Sequence, residues 1–507
     1  MDDQLVIESA HTQIPPQNLA AKARSAVVWN TAFNLFRNFL QFGLMLVLVR
    51  LLKPAAYGEF ALVTSIIGFF AIFSFNNFIA QTLLVRDDRE LRYQEQFTAG
   101  AAITVMLFLV ANMVAFLLRR SPTFAPVAPL VHAMSFTFPL EWPCELRRKM
   151  LERDYDWQRL RLLHASGLIF SAVLAIGMGW GGAGAYSLVI PGMIVTLPFI
   201  IDLFFVQRWR PDWSWSWKNY RAAWDFGVTR IGSGLAVRGR QLLESSILAK
   251  VLGFTLLGFF NRAIGLAMMF CQSIAAQLMY AIYPVLTRLD PNPAHIARVN
   301  GLVLRIIGWL VIPIGAAFAI LAGPVVQTVY GAKWSAVVPL LPLTMLWGIL
   351  AAFAATSDTL LLAQAKPRRC LLADVITLAG TGIILLILLP FGPIAYLAGL
   401  SGVYLAVFCL SLYWLIRIGA LNLQGIRSAV LPPVPSCLVA YAICEIGRAT
   451  SGARTSSFLA AAMYGTWFFI LYTATLRICF SRLLVELVSY LPARKYIGRV
   501  LILKPQA

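Results

Sequence analysis

Six arginines stand inside long apolar stretches, where no loop can carry them to water: Arg37, Arg230, Arg238, Arg240, Arg262 and Arg305. A guanidinium at the centre of a membrane-spanning helix costs at least ~2.5–3.5 kcal/mol, so each should face a cavity, a partner or an interface rather than lipid. Anion binding is the chemistry such a group does best, because its planar fork donates two parallel hydrogen bonds. Asn30, Asn34, Arg37 and Gln41 follow i, i+4, i+7, i+11 spacing. At 100° per residue they fall within about 60° of arc, a narrow polar stripe on an apolar helix. Arg230, Ser233, Arg238, Gln241, Glu244 and Ser245 form a second stripe, spread over roughly 140°. The expectation is a positively charged cavity in which Arg37, Arg230 and Arg238 meet an anion.

For the other three arginines a second reading stays open. Arg240 and Glu244, at i, i+4, either neutralise each other or join the cavity. Arg262 and Arg305 either line the cavity or snorkel to the outer and inner interface respectively. The intramembrane acids are Asp202, Asp225, Glu244, Asp358 and Asp374. Asp202 and Asp225 lie near cytoplasmic helix ends and are expected at the interface. Asp358, after Thr356 and Ser357, is the candidate site for a coupling proton or sodium ion. Asn76, Asn77, Gln81, Gln272 and Gln277 either line the cavity or join helices. The 7 cysteines form no CxxC pair and the 4 histidines are scattered, so no metal site and no cofactor are expected.

These residues need an apolar scaffold, and the composition supplies one. The 507 residues are 59% hydrophobic and 13% charged, with a mean hydropathy of +0.75; a soluble domain carries about 25% charged residues. Crossing a bilayer takes about 20 apolar residues. Such stretches are 26–49, 58–84, 97–118, 123–141, 160–180, 184–206, 223–249, 255–282, 301–322, 336–362, 370–389, 392–416, 428–446 and 457–479. Pro126, Pro129 and Pro139 interrupt the fourth, and Pro432, Pro433 and Pro435 open the thirteenth. The expected fold is therefore an all-α polytopic membrane protein of twelve to fourteen transmembrane helices. The polar first residues, with Asp2, Asp3, Pro15 and Pro16, predict no cleavable signal peptide.

Orientation follows from counting Lys and Arg in alternate loops. With the N-terminus in the cytoplasm, inside segments hold 28 of the 42 and outside loops 8, the six intramembrane arginines being the remainder. Both termini are then cytoplasmic, and the tail from Phe480 reads as an amphipathic segment on the inner surface. The net charge of +20 comes from short basic runs between apolar stretches, as expected beside an anionic leaflet, so nucleic acid is not an expected partner.

The chain repeats itself. Segment 49–60, VRLLKPAAYGEF, aligns with segment 249–260, AKVLGFTLLGFF, pairing Arg50 with Lys250, Leu52 with Leu252, Gly58 with Gly258 and Phe60 with Phe260. The same offset sets Asn30 against Arg230, Asn34 against Gly234 and Gln41 against Gln241, so it preserves a polar face as well as a turn. Six helices separate the copies, which predicts parallel halves with a substrate site between them. The expected organisation is a cytoplasmic tail at 1–25, an N-lobe at 26–206, a linker at 207–222, a C-lobe at 223–416, two further helices at 428–479 and an amphipathic tail at 480–507.

The stretch WNTAFNLFRNFLQFGLMLVLVRLLKPAAYGEFALVTSIIGFF (29–70) resembles the opening of Wzx-type polysaccharide flippases, in the multidrug/oligosaccharidyl-lipid/polysaccharide exporter superfamily. LGFTLLGFFNRAIGL (252–266), YPVLTRL (283–289) and GAKWSAVVPLLPL (331–343) extend the resemblance through both halves. It implies two six-helix lobes, alternating access and export of an undecaprenyl-pyrophosphate-linked oligosaccharide from the bacterial inner membrane, beside a polymerase and export machinery. For that cargo, Arg37, Arg230 and Arg238 would hold phosphate, while Asn30, Asn34, Gln41 and Gln241 would contact sugar or linker. Two alternatives differ in what they require. A small-cation exporter of the same superfamily needs an acidic cavity. A polysaccharide polymerase or ligase needs a large outer loop with clustered catalytic groups, and the outer loops here are short. The expected function is transport, not catalysis.

Overall fold

A computed structural model describes residues 16–79, 93–288, 292–451 and 458–489; within these ranges, side chains are described except at 16–27, 217–220, 222–223, 225–230, 233, 448–451, 458–461 and 487–489. The described residues form helices and no strands. The principal helices are α1 (Pro16–Leu51), α2 (Pro54–Phe70), α3 (Tyr93–Arg119), α4 (Thr137–Arg153), α5 (Trp157–Trp180), α6 (Tyr186–Ile194), α7 (Trp217–Ala267), α8 (Ser273–Leu286), α9 (Pro293–Ile320), α10 (Leu341–Ala363), α11 (Pro367–Leu388) and α12 (Pro393–Arg417). They are followed by α13 (Leu423–Val430), α14 (Pro433–Ser451), α15 (Phe458–Cys479) and α16 (Ser481–Ser489).

Among the described residues 11 helices are long and apolar enough to cross a membrane, and the protein is a multi-pass membrane protein. One of them, Gly234–Leu286, runs 53 residues, roughly 80 Å at 1.5 Å per residue and over twice a hydrocarbon core. It holds two expected spans, because the chain breaks direction at Gly253, where φ 79 and ψ 168 suit only glycine. The expected span at 123–141 is instead interrupted: a short helix ends at Ser135 and α4 starts at Thr137. α4 then carries a polar second half, Glu145 to Arg153.

The chain divides into two compact units. The first comprises residues 1–51, 73–117 and 129–230. Asp156 caps α5 by accepting from the Arg159 amide at 3.1 Å, which fixes where the helix starts. Phe75, Ile79, Phe97, Leu146 and Leu203 form one apolar core, with Trp142 and Trp209 packed against it. Asp202, near the end of its helix, is 4% exposed. Two arginines offset its desolvation: Arg147 Nε donates to Oδ2 at 2.6 Å and Arg159 NH2 to Oδ1 at 2.6 Å. Gln94 fastens the segment ahead of α7, donating to the Arg210 carbonyl at 3.0 Å and accepting from the Asp212 amide at 2.7 Å.

The second unit comprises residues 52–72, 118–128 and 231–507, so α2 packs with the later helices. The two repeat-related turns meet here face to face. A Cβ added at Gly58 would stand 1.9 Å from the Phe254 carbonyl oxygen, and one at Gly258 would stand 1.9 Å from the Pro54 carbonyl oxygen. Position 54 corresponds to 254 and 58 to 258, so the contact is reciprocal, like the self-complementary interface of a two-fold dimer. Lys333 Nζ fastens the first of these turns, donating to the Leu52 carbonyl at 2.8 Å.

Deeper in this unit α9 is a hub. Trp309 Nε1 donates to the Ser428 carbonyl at 2.9 Å, Asn300 Nδ2 to the Ala420 carbonyl at 2.8 Å, and the Tyr472 hydroxyl to the Trp309 carbonyl at 3.0 Å. Gly308 lets α13 approach so closely that a Cβ would lie 2.4 Å from the Ala429 oxygen.

Replacing either glycine of the reciprocal contact forces the two turns apart. Gly58→Ala and Gly258→Ala are each expected to cost about 1–3 kcal/mol, as overpacked sites do, seen as a lower thermal-unfolding midpoint of the detergent-solubilised protein. Gly177→Ala, whose Cβ would meet nothing within 4 Å, should match the wild type or exceed it.

Candidate functional site

A cavity of about 430 Å³ opens within the second unit, in the size range of small-ligand sites. α2 contributes Thr64 and Ser65, α7 contributes Arg238, Arg240, Gln241, Glu244, Ser245 and Asn261, and α10 to α12 contribute Trp347, Asp358, Asp374, Thr377 and Tyr404. The polar stripe on α7 therefore faces this space from Arg238 to Ser245, about two turns. A hydrogen bond of 2.8 Å between Ser65 and Ser245 ties the α2 wall to the α7 wall.

Arg240 and Glu244 neutralise each other and also line the cavity, so the two readings of that pair hold together. Arg240 NH1 donates to Glu244 Oε2 at 2.9 Å, with both side chains about nine-tenths buried. The second oxygen of Glu244 accepts from the fully buried Tyr396 hydroxyl at 2.7 Å. Tyr396 thus fixes the carboxylate that fixes the arginine. The Arg240 guanidinium also lies 5.9 Å from the Tyr404 ring centroid. Arg238 is exposed and donates to Gln241 Oε1 at 3.0 Å. Asp358 receives only a 3.5 Å contact from Ser411, too long to be a strong bond.

Two arginines and three carboxylates line this cavity, and of the three arginines expected to hold an anion only Arg238 is among them. Arg262 and Arg305 are not on its walls. The Arg262 guanidinium sits 4.3 Å from the Tyr57 ring centroid and donates to Asn261 Oδ1 at 2.8 Å. Arg305 is met by Glu486 of α16 at 2.7 Å and Ser428 of α13 at 3.1 Å, so its charge serves to hold two amphipathic surface helices.

In the first unit, Asn30 accepts from Arg161 Nε at 2.6 Å. The same guanidinium lies 5.0 Å from the Phe33 ring centroid, a cation–π distance. Arg161 of α5 thereby joins the α1 stripe, although its place near a helix start groups it with loop cations. Asn34 and Gln41 are exposed, and Arg37 is part-buried with no ion-pair partner among the described residues. The side chain of Arg230 lies outside the described residues, as do those of Asp225 and Gln81. Asp374, Thr377 and Thr381 were detectable in the sequence: their i, i+3, i+7 spacing is a polar stripe on α11. No group of three or more His, Cys, Asp or Glu suited to a metal occurs among the described residues.

The fold is that of a polytopic membrane protein. It matches the structure of lipid II flippase MurJ in an inward closed conformation, with a TM-score of 0.68, covering 90% of this chain and 100% of that one at 12% identity. The chain belongs to the family described as polysaccharide biosynthesis protein, whose model matches residues 47–339. Succinoglycan biosynthesis transport protein ExoT of Rhizobium meliloti (strain 1021) is 22% identical over 312 residues, 61% of this chain and 62% of ExoT. Lipopolysaccharide biosynthesis protein WzxC of Escherichia coli (strain K12) is 21% identical over 272 residues, 53% of this chain and 54% of WzxC. The chain thus matches less than two thirds of the length of each of these relatives.

Glu244→Ala strands Arg240 in the protein interior and is expected to cost about 3–5 kcal/mol of stability. Tyr396→Phe removes one bond to a charged group and should cost about 1.5–3 kcal/mol. Thermal unfolding in detergent should rank wild type above Y396F and Y396F above E244A; equal midpoints for all three would show that water, not Glu244, carries the charge of Arg240.

Proposed function

We propose that this protein is a flippase that carries a polyprenyl-pyrophosphate-linked oligosaccharide across the bacterial inner membrane for surface polysaccharide synthesis. The observation that carries the reading is a charged, polar cavity inside an apolar multi-pass member of the polysaccharide biosynthesis family. Flipping moves a polar head through hydrocarbon while the prenyl tail stays in lipid, so the protein must supply polar partners along the way and needs no catalytic group. ExoT, named as a transport protein for succinoglycan biosynthesis, and MurJ, named as a flippase, support it.

On this reading Arg37, Arg230 and Arg238 hold the pyrophosphate, with Arg161 beside Asn30 as an added cation. Asn30, Asn34, Gln41 and Gln241 contact sugar or linker. The lobes are residues 26–206 and 223–416, both termini are cytoplasmic, and transport proceeds by alternating access. Asp358 takes a coupling proton or sodium ion, and a polymerase and export machinery act downstream. A second reading, export of small organic cations, is favoured by one observation only: carboxylates outnumber arginines in the cavity of the second unit.

A strain lacking the gene should lose surface polymer and trap complete lipid-linked repeat units in the cytoplasmic leaflet. Finished chains on the outer side would place the defect after flipping. Unchanged polymer with raised sensitivity to cationic drugs would favour the exporter. Complementation with the double variant Arg37→Ala, Arg230→Ala is expected to fail; full restoration of polymer by it would remove both residues from the phosphate site.

A further inference from the structure

The first unit holds a much smaller cavity, about 10 Å³, space for one water-sized occupant. Three stretches of chain meet around it: Ser74 and Asn76 stand at the start of the short helix Phe75–Ile79, Thr104 in the middle of α3, and Glu141, Trp142 and Glu145 in the first half of α4. A helical threonine usually turns its hydroxyl back to a carbonyl of the preceding turn, as Thr98, Thr356 and Thr377 do here. Thr104, 5% exposed, does not. The side chains of Ser74, Asn76, Thr104 and Glu141 form no hydrogen bond among the described residues. The indole Nε1 of Trp142 is also buried without a partner, its ring held against Phe97 at 4.2 Å. So many open polar groups around one small space are unusual in a folded protein and call for an occupant. The charges fix its sign. Arg148 attracts Glu141 and Glu145 repels it. Arg148 donates to Glu145, while Lys149 is held by Glu152 at 2.7 Å. Two carboxylates thus share one guanidinium, which leaves one negative charge over.

We infer that this cavity of the first unit binds a sodium ion, held by Glu141, Thr104, Ser74 and Asn76. The inference goes beyond the flippase reading and does not depend on it. One uncompensated carboxylate matches a monovalent cation, and a divalent one would remain half-neutralised. Carboxylate, hydroxyl and amide oxygens are the donors a hard cation takes, and no thiol or imidazole lines the space. Its size admits a bare sodium ion and excludes an organic cation. The Trp142 N–H can donate to a Glu141 oxygen, in the way that ligating carboxylates are oriented by a further hydrogen bond. An ion here fastens α4 to α3 and to the chain at Ser74, so sodium enters the packing of the first unit.

The test is equilibrium binding of radiolabelled sodium to the purified full chain, with N-methyl-D-glucamine chloride holding the ionic strength constant. The wild type should bind sodium saturably. Glu141→Gln, which keeps the shape and drops the charge, should weaken binding at one site by about tenfold or more. Thr104→Val, isosteric and without the hydroxyl, should weaken the same site and takes the deciding place if Glu141→Gln does not fold. No saturable sodium binding by the wild type overturns the inference whatever the variants do. Sodium binding left unchanged by the deciding variant places the ion elsewhere and overturns it as well. No transport is measured, so either result leaves the flippase reading where it stood.

Discussion

The cost of leaving a charge in hydrocarbon governs where this chain places its side chains. Buried or part-buried arginines are met by specific partners: Arg147 and Arg159 by Asp202, Arg240 by Glu244, Arg305 by Glu486, Arg161 by Asn30, and Arg262 by the face of Tyr57. Each partner comes from a distance along the chain or from a neighbouring turn, so satisfying the charge also fixes helix packing. A buried ion pair gains little over apolar packing, yet breaking one is expensive. The arrangement therefore specifies which helices adjoin more than it stabilises them. Arg238, exposed with a single bond to Gln241, differs from the others. So does Arg37, which has no ion-pair partner among the described residues.

Polar satisfaction explains the cavity as well. The α7 stripe cannot face lipid, and the helices opposite it answer with carboxylates, hydroxyls and aromatic rings. Tyr396, Glu244 and Arg240 form a chain in which each member holds the next. A ligand entering beside them meets oriented groups that need not rearrange, which is how a membrane protein lowers the cost of taking a polar head from water.

Much of this was legible in the residues. The apolar stretches, the α7 stripe and the Arg240–Glu244 spacing all rest on helical periodicity, a local property, and the 200-residue offset placed Gly58 against Gly258 in register. What was missed is non-local. Arg161 looks like a loop cation until Asn30 and Phe33 appear beside it. Nothing near Asp202 in the sequence announces the two arginines from other helices that close over it. The walls of the second unit's cavity were out of reach for the same reason. Counting arginines along the sequence cannot show that Arg262 and Arg305 turn away from the cavity while Asp374 turns toward it. The broken helix near Ser135 shows the opposite case, in which prolines visible in the sequence did what prolines do.

The reciprocal glycine contact bears on how such a chain can change over time. Each copy of the turn is the mould in which the other is cast: the space that Gly58 leaves is filled by the Phe254 carbonyl, and the space that Gly258 leaves by the Pro54 carbonyl. A side chain gained in one copy is felt at once in the other, so neither half can drift alone. Duplicated segments are usually free to diverge, but here the duplication locks its own history in place at the point where the two copies touch.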